Sequence, residues 1–147
     1  MFLKKIDREF SDYKEQIQFR FTITSSDDHL LKFWEPNAPL FQERLKSLQY
    51  AFKREYKTSV SIEPFLDYNP KPLVDIIYPF VTESIWLGVM NYIPRNNVRK
   101  DNVSYYDSIR KNYSKEHLKK IYKIFNEYPK IRWKDSIKTI LKGNALF

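Results

Sequence analysis

Residues 17–24 read IQFRFTIT, and their strict alternation of apolar and polar side chains constrains the fold more than any other stretch. Ile17, Phe19, Phe21 and Ile23 share one face of an extended chain, whereas the intervening Gln, Arg and Thr side chains share the other. Such alternation predicts a β-strand that buries one face. The rest of the chain must supply the elements that cover this apolar face.

Helical and extended segments alternate along the chain. The sequence predicts helices over residues 2–14, 41–56 and 71–80, strands over 17–24, 57–63 and 84–92, a polar loop over 94–108, and two closing helices, the first capped by Ser114 and the last ended by Gly143. Strands separated by helices are typical of right-handed parallel β/α units, so we expect an α/β fold. Pro39 is expected in the first turn of the second helix, where its missing N–H costs nothing. The strand over 84–92 is nearly apolar throughout, as expected of a strand covered on both faces.

The composition is that of a folded chain, and a length of 147 residues predicts a single domain over residues 1–147. A hydrophobic content of 42% and an aromatic content of 17% argue against disorder, although 30% of the residues are charged. No apolar run approaches the roughly 18 residues that span a bilayer. The charged N-terminus, MFLKKIDREF, does not resemble a secretory signal, so we expect a cytoplasmic protein without membrane association.

Missing residue types exclude several kinds of functional site. The chain has no cysteine, which excludes disulfides, Cys zinc sites, a thiol nucleophile and a self-supplied cysteine-ligated iron–sulfur cluster. His29 and His117 are too far apart in sequence to be a pair of metal ligands at helical spacing. Gly88 and Gly143 alone cannot build a Walker loop or a dinucleotide fingerprint. We expect no metal site formed by this chain alone.

Positive charge is concentrated in the final third of the sequence. Residues 1–94 contain 12 basic and 13 acidic side chains, whereas residues 95–147 contain 14 basic and 5 acidic side chains. Aromatic residues such as Tyr105, Tyr106 and Trp133 are interleaved with this charge. The combination allows a nucleic-acid-binding surface over residues 95–142. A solvated, lysine-rich helix face is the interpretation that we favour.

The polar faces of the first two strands carry a convergent set of hydrogen-bonding side chains: Arg20, Thr22, Thr24, Ser59, Ser61 and Glu63. In a parallel β/α barrel the helices cover only the outside, and the inward face carries polar groups where it lines a site. Burying such groups without partners costs ~1–3 kcal/mol each, so they must bond to one another, to water or to a ligand. An antiparallel sheet with one solvated face gives the same alternation. The helices between the strands favour the barrel.

Ligands of β/α folds bind at the carboxyl ends of the strands. Thr24, Glu63 and Asn91 occupy these ends, and Glu35 lies in the loop that leaves the first strand, between Trp34 and a proline. We therefore expect Glu35 at the same rim, with a surface charge in a turn as the alternative. Glu35 and Glu63 also allow a further hypothesis, an acid/base pair of an unrelated hydrolase.

Three stretches together resemble the later half of the radical S-adenosylmethionine core: FRFTITSSDDHLLKFWEPNAPLFQERLKSL, TSVSIEPFLD and IWLGVMNYI. The branch they are most similar to contains the spore photoproduct lyase-like proteins and their photolyase-named relatives. The resemblance covers residues 15–93 and leaves 94–147 as a loop and basic helical extension. It implies the C-terminal part of a partial β/α (TIM-like) barrel, with about three parallel strands, flanking helices and additional C-terminal helices.

The resemblance also implies contacts to S-adenosylmethionine, although it assigns no catalytic residue. The implied cofactor-binding residues are Thr22 and Thr24 on the strand that meets the ribose or carboxylate, Ser59, Ser61 and Glu63 on the strand near the adenosyl group, and Glu35 and Arg44 in the Glu-Pro…Arg-Leu signature of the branch. The substrate is not implied.

The chain departs from the family where the cluster should be bound. The family's Cys-x3-Cys-x2-Cys loop, which holds a [4Fe–4S] cluster, and roughly its first three strands have no counterpart here. We therefore expect the C-terminal portion of such an enzyme, from a split or truncated gene, which is inactive unless a cluster-bearing N-terminal chain is supplied. The strand at 17–24 would then have an unpaired edge, so we expect pairing with that chain, dimerisation or cover by the N-terminal helix. The competing hypothesis is a basic nucleic-acid-binding module without catalytic activity.

Overall fold

A computed structural model describes residues 2–96 and 98–142, so the predicted helix end at Gly143 lies outside the described residues. Four strands form one sheet: β1 (Gln18–Thr22), β2 (Lys57–Ile62), β3 (Ser84–Leu87) and β4 (Ile131–Trp133). All neighbouring strands are parallel, and their order in the sheet is their order in the chain. The predicted α/β fold is confirmed, and the antiparallel alternative is excluded.

Helices connect the strands and follow the last one. They are α1 (Phe2–Glu9), α2 (Asp28–Trp34), α3 (Phe41–Lys53), α4 (Lys71–Ile77), α5 (Val103–Asn112), α6 (Lys115–Phe125) and α7 (Asp135–Leu141), with short 3-10 segments at Ser11–Gln16, Tyr78–Phe80 and Lys100–Asn102. Ser114 caps α6 as predicted, because its hydroxyl accepts a hydrogen bond from the His117 N–H at 3.3 Å. No helix in the described part of the chain has the length and hydrophobicity needed to cross a membrane.

One face of the sheet and the helices form a single hydrophobic core. Val60, Ile62, Ile85 and Leu87 of the two inner strands are fully buried. The same core contains apolar residues from four helices: Leu45 and Leu48 of α3, Leu73 and Ile77 of α4, Leu118 and Ile121 of α6, and Ile137 and Leu141 of α7. Consecutive parallel strands joined by connections of one hand place their helices on one side of the sheet. The sequential strand order therefore leaves the opposite face to the polar residues.

Several predicted elements differ from the structure. The helix predicted over 2–14 ends at Glu9 and continues as the 3-10 segment, and Tyr13 within that segment has non-helical dihedral angles. The strand predicted over 84–92 ends at Leu87, and its residues alternate between half-buried and buried rather than being covered on both faces. Pro39 precedes the N-cap residue Leu40 instead of lying in the first turn of α3.

Three elements are absent from the sequence prediction. Strand β4 has only three residues, too few for alternation to be recognised, and it forms because β3 offers it a free edge. Helix α5 occupies the end of the stretch predicted as a polar loop. Helix α2 lies within the loop after β1, where the Asp27 carboxylate accepts a hydrogen bond from the His29 N–H at 2.7 Å and caps it.

Gly88 lies where β3 meets the end of β2. Its N–H donates to the Ile62 carbonyl at 3.1 Å, and its carbonyl accepts from the Phe65 N–H at 3.0 Å. A Cβ atom at this position would lie 2.6–2.7 Å from Glu63 side-chain atoms. A side chain at position 88 would therefore force the Glu63 side chain to move.

We predict that Gly88→Ala lowers the free energy of unfolding by about 1 kcal/mol, because the new methyl group displaces the Glu63 carboxylate from its ion pair with Lys134. In the background of Glu63→Ala the same substitution should cost much less, since the atoms it meets lie beyond the Glu63 Cβ. Urea unfolding of the two single variants and the double variant measures the coupling. Equal costs of Gly88→Ala in both backgrounds would contradict this explanation.

Candidate ligand site on the polar face of the sheet

The face of the sheet opposite the helices carries two rows of polar side chains, because the strands are parallel and in register. Arg20 of β1 pairs with Ser59 of β2, which pairs with Ser84 of β3. One step toward the carboxyl ends, a second row contains Thr22, Ser61, Trp86 and Arg132. The predicted convergence of the β1 and β2 side chains on one face is therefore present. Arg20 and Thr22 are exposed, so among the described residues this face is open rather than enclosed.

The first row is partly satisfied within the protein. Ser59 is fully buried, and its hydroxyl accepts from the Gln18 Nε2 at 2.5 Å and lies 3.2 Å from the Ser84 hydroxyl. The Ser84 hydroxyl also accepts a hydrogen bond from the Trp86 indole N–H at 3.0 Å. These contacts fix the Trp86 ring on the sheet and leave Ser59 inaccessible to a ligand.

Trp86 forms an aromatic surface between two cations. The Arg20 guanidinium lies 6.0 Å from the centre of the indole ring, and the Lys134 ammonium lies 5.5 Å from it. Both distances are within the range of cation–π attraction, worth ~0.5–1 kcal/mol at an exposed site. The half-buried indole therefore has its orientation set by a hydrogen bond and by neighbouring charge.

Glu63 lies at the carboxyl end of this face, directly after β2. Its carboxylate accepts from the Lys134 ammonium at 3.0 Å and from the Ser136 hydroxyl at 3.4 Å. The Lys134 and Glu63 side chains are 30% and 27% exposed, so the pair is reachable from solvent. Gly88 makes this position possible, since any side chain there would displace the carboxylate.

A separate hydrogen-bonded network near the carboxyl end of β1 joins Thr24, Glu35 and Arg44. The Thr24 hydroxyl donates to Glu35 Oε1 at 2.6 Å, and Arg44 Nη2 contacts Glu35 Oε2 at 2.5 Å. Arg44 also donates to the carbonyls of Pro39, at 2.6 Å, and Thr22, at 3.2 Å. Thr24 is fully buried and the Arg44 side chain is 8% exposed. Glu35 thus joins the loop after β1 to helix α3.

The structure divides the predicted site residues into three groups. Thr22, Glu35 and Arg44, together with Arg20, line an open groove of about 950 Å³ along the outer edge of β1. Ser61 and Glu63 lie on the open polar face beside β3. Thr24 and Ser59 are fully buried. The groove and the polar face meet at Arg20 and Thr22, which belong to both.

Sequence reasoning missed Trp86, Arg132, Lys134 and Ser136 as members of this face. A nearly apolar run over residues 84–92 predicts cover on both faces and gives no sign that Trp86 is accessible, although Ser84 and Trp86 alternate with Ile85 and Leu87. The other three come from β4 and the residues after it, and β4 was not predicted. The alternation in SIWL was the available signal.

A second polar contact joins the loops that follow β1 and β2. The buried Ser25 hydroxyl donates to Asp67 Oδ1 at 2.6 Å and accepts from the Asp27 N–H at 2.9 Å. Asp67 Oδ2 is buried without a hydrogen-bond partner in the described part of the chain. Burial raises the pKa of Asp67 above its usual 3.8, and the nearby Asp27 charge acts in the same direction, whereas hydrogen bonds from the Ser25 hydroxyl and the Ser26 backbone oppose it.

Asn91, predicted at the end of the third strand, lies beyond β3 in a separate cavity of about 570 Å³. Arg95, Asn96 and Arg110 also line this cavity, and Arg110 donates to the Pro94 carbonyl and to Asp107 Oδ1, the latter at 2.9 Å. The cavity is therefore cationic and amide-lined. It does not include the predicted residues of β1 and β2.

The described residues do not fit an iron–sulfur cluster. Residues 2–96 and 98–142 contain no group of three or more His, Cys, Asp or Glu side chains that could hold a metal ion, and the whole sequence lacks the thiolates that such clusters require.

Comparisons with protein-family models, with curated proteins and with solved structures found no match.

We predict that Asp67 makes stability depend on pH. The protonated carboxyl is favoured in the folded state, so the folded protein binds more protons than the unfolded chain and stability falls as pH rises through the raised pKa. Asp67→Asn cannot ionise, so it should gain stability relative to the wild type as the pH rises above the usual carboxyl pKa of 3.8. Urea unfolding at a series of pH values measures the difference, with exposed Asp101→Asn as the control. Parallel stability profiles for wild type and Asp67→Asn would contradict the assignment.

Proposed function

We propose that the chain forms part of the wall of a β/α barrel and binds S-adenosylmethionine on the polar face of its sheet. One observation carries the proposal: two registered rows of polar side chains lie on the face without helices and end at the accessible Glu63–Lys134 pair. Sequential parallel strands with helices on one side are the arrangement from which β/α barrels are built. The resemblance of residues 15–93 to the radical S-adenosylmethionine core suggests S-adenosylmethionine as the ligand of this face.

The chemistry of the accessible side chains suits the functional groups of S-adenosylmethionine. Glu63 supplies a carboxylate acceptor for ribose hydroxyls or an ammonium group, and Arg20 supplies a donor fork for a carboxylate. Trp86 offers an aromatic surface for the adenine ring. Thr22 and Ser61 add hydroxyls between these groups. When bound, S-adenosylmethionine supplies an activated sulfonium carbon.

Radical chemistry on this ligand is not assigned to the chain's own residues. Its residues do not fit the [4Fe–4S] cluster, so we infer no reductive step at this face. The proposal is a binding function, to which a cluster-bearing polypeptide would add catalysis.

We predict that the chain binds S-adenosylmethionine saturably, and that Glu63→Gln and Trp86→Leu each weaken binding about tenfold, the effect of losing one charge-assisted contact or ring stacking. Equilibrium dialysis with labelled S-adenosylmethionine measures the dissociation constant, and circular dichroism verifies folding. Glu83→Gln is the matched control, because Glu83 is an exposed carboxylate at the opposite end of β3. Absence of saturable binding, or equal effects of Glu63→Gln and Glu83→Gln, would refute the proposal.

A second candidate function, nucleic-acid binding, is favoured by helix α6. Lys120 and Lys123 are exposed and Lys119 is half-buried. Within the described residues no carboxylate forms an ion pair with any of the three. Unpaired lysines on one helix are free to neutralise phosphates.

This candidate predicts salt-dependent binding of a labelled DNA duplex. Replacing Lys119, Lys120 and Lys123 with Gln should reduce the slope of log affinity against log salt by about two to three, since each lost phosphate contact removes about 0.9. Fluorescence anisotropy at several salt concentrations measures the slope. The control replaces the exposed Lys32, Lys46 and Lys53 with Gln, which changes the net charge equally. Identical slopes for the two triple variants would show that the three lysines of α6 do not contact the DNA phosphates.

A further inference from the structure

The outer edge of β1 has unpaired backbone groups. Among the described strands β1 pairs only with β2. The Ile23 N–H donates to the Ser61 carbonyl at 3.0 Å, which shows that the backbone groups of this residue point toward β2. Because these groups alternate in direction along a strand, those of Gln18, Arg20 and Thr22 point away from the sheet. This edge is therefore available to a further strand.

Arg44 limits the free edge at its carboxyl end. Its Nη1 donates to the Thr22 carbonyl at 3.2 Å, so this acceptor is already used. The backbone groups of Gln18 and Arg20 and the Thr22 N–H remain available for pairing. An added strand would end at the Glu35–Arg44 ion pair, whose two residues also line the groove.

The groove beside this edge has room for the side chains of an added strand. Its volume is about 950 Å³, and its apolar lining is Leu3 of α1, Phe19 and Phe21 of β1, and Ala38 and Pro39 before α3. Side chains at alternate positions of an extended peptide point to the same face. Apolar residues at those positions would fill the groove while the peptide backbone pairs with β1.

Helix α1 is fixed in place, so the groove exists before anything binds. Asp7 accepts hydrogen bonds from Arg54 Nε at 2.8 Å and from the hydroxyls of Tyr50 and Tyr56 at 3.2 Å. Burial acts to raise the pKa of Asp7, but the hydrogen bonds from Arg54 and Tyr56 hold it below its usual 3.8. The same helix buries Leu3, which contributes to the groove wall.

Charge disfavours a second copy of this chain as the added strand. In a symmetric antiparallel pair of β1 strands, residues whose backbone groups point away from the sheet must lie opposite one another. The twofold axis of the pair with the greatest overlap therefore passes at residue 19, 20 or 21. An axis at residue 20 places the two Arg20 side chains directly opposite, and an axis at residue 19 or 21 places them diagonally. Like charges in these positions destabilise a pair. No carboxylate within the described residues forms an ion pair with Arg20, so an acidic strand would supply the missing partner.

We infer that the outer edge of β1 binds an extended strand of a different polypeptide, with apolar side chains at alternate positions toward the groove and acidic side chains beside Arg20. Backbone hydrogen bonds to Gln18 and Arg20 provide affinity, and the groove and the Arg20 charge provide selectivity. This inference does not depend on S-adenosylmethionine binding.

The test uses the full chain and a fluorescein-labelled peptide, Thr-Val-Glu-Val-Glu-Val-Thr, with a matched peptide that has Lys in place of Glu. Fluorescence anisotropy should show that the Glu peptide binds roughly fivefold more tightly than the Lys peptide, or better. This difference is expected when an attractive cross-strand charge pair replaces a repulsive one. N-methylation of the peptide's bonding amides should abolish binding. Arg20→Glu should reverse the preference, whereas Arg132→Glu, the same charge change at the opposite edge of this face, should retain it.

Three results of the peptide experiment would overturn the inference: no binding of either peptide, binding that survives N-methylation, or an unchanged peptide preference in Arg20→Glu. A stable homodimer by sedimentation, with the β1 amides protected from hydrogen exchange, would show that a second copy occupies the edge and would also overturn it. Loss of S-adenosylmethionine binding alone leaves the peptide result intact.

Discussion

Strand β2 sets the geometry on which the rest of the molecule depends, because its backbone groups bond alternately to β1 and β3. The Ser61 carbonyl accepts from Ile23, and the Ile62 carbonyl accepts from Gly88. These bonds fix both registers at once, so residues of three strands lie in straight rows across the sheet. Since side chains alternate along each strand, one set of rows is apolar and the other is polar.

This register explains why the chain has one covered and one open face. The apolar rows pack against helices α3, α4, α6 and α7, which the sequential parallel order places on the same side. The polar rows have no such cover at Arg20, Thr22 and Arg132, which are exposed. A face of this kind has its polar groups available for a ligand, whereas a fully buried face would need internal partners for all of them.

Internal hydrogen bonds decide which of the polar residues remain accessible. Arg44 and Thr24 are committed to Glu35, and this network holds the loop after β1 against α3. Glu63 instead contacts Lys134 at a position that solvent reaches, with Gly88 leaving room for it. Glu35, the first residue of the Glu-Pro-Asn-Ala-Pro loop, therefore stabilises the fold around the polar face. The accessible side chains of the polar face lie on all four strands and in the segment after β4.

Local patterns determined much of the secondary structure. The alternation in residues 17–24 predicted β1, the apolar stripe after Pro39 predicted α3, and Ser114 predicted the start of α6, because each signal is contained within a few neighbouring residues. The alternation in β1 and in β2 together also predicted that Thr22 and Ser61 share a face. Only tertiary structure decided the pairing of β4 with β3, the burial of Thr24 and Ser59, and the meeting of Glu63 with Lys134 across 71 positions of sequence. Those features depend on which distant segments pack together, and the energy that selects the packing is distributed over the whole core rather than encoded in any short stretch.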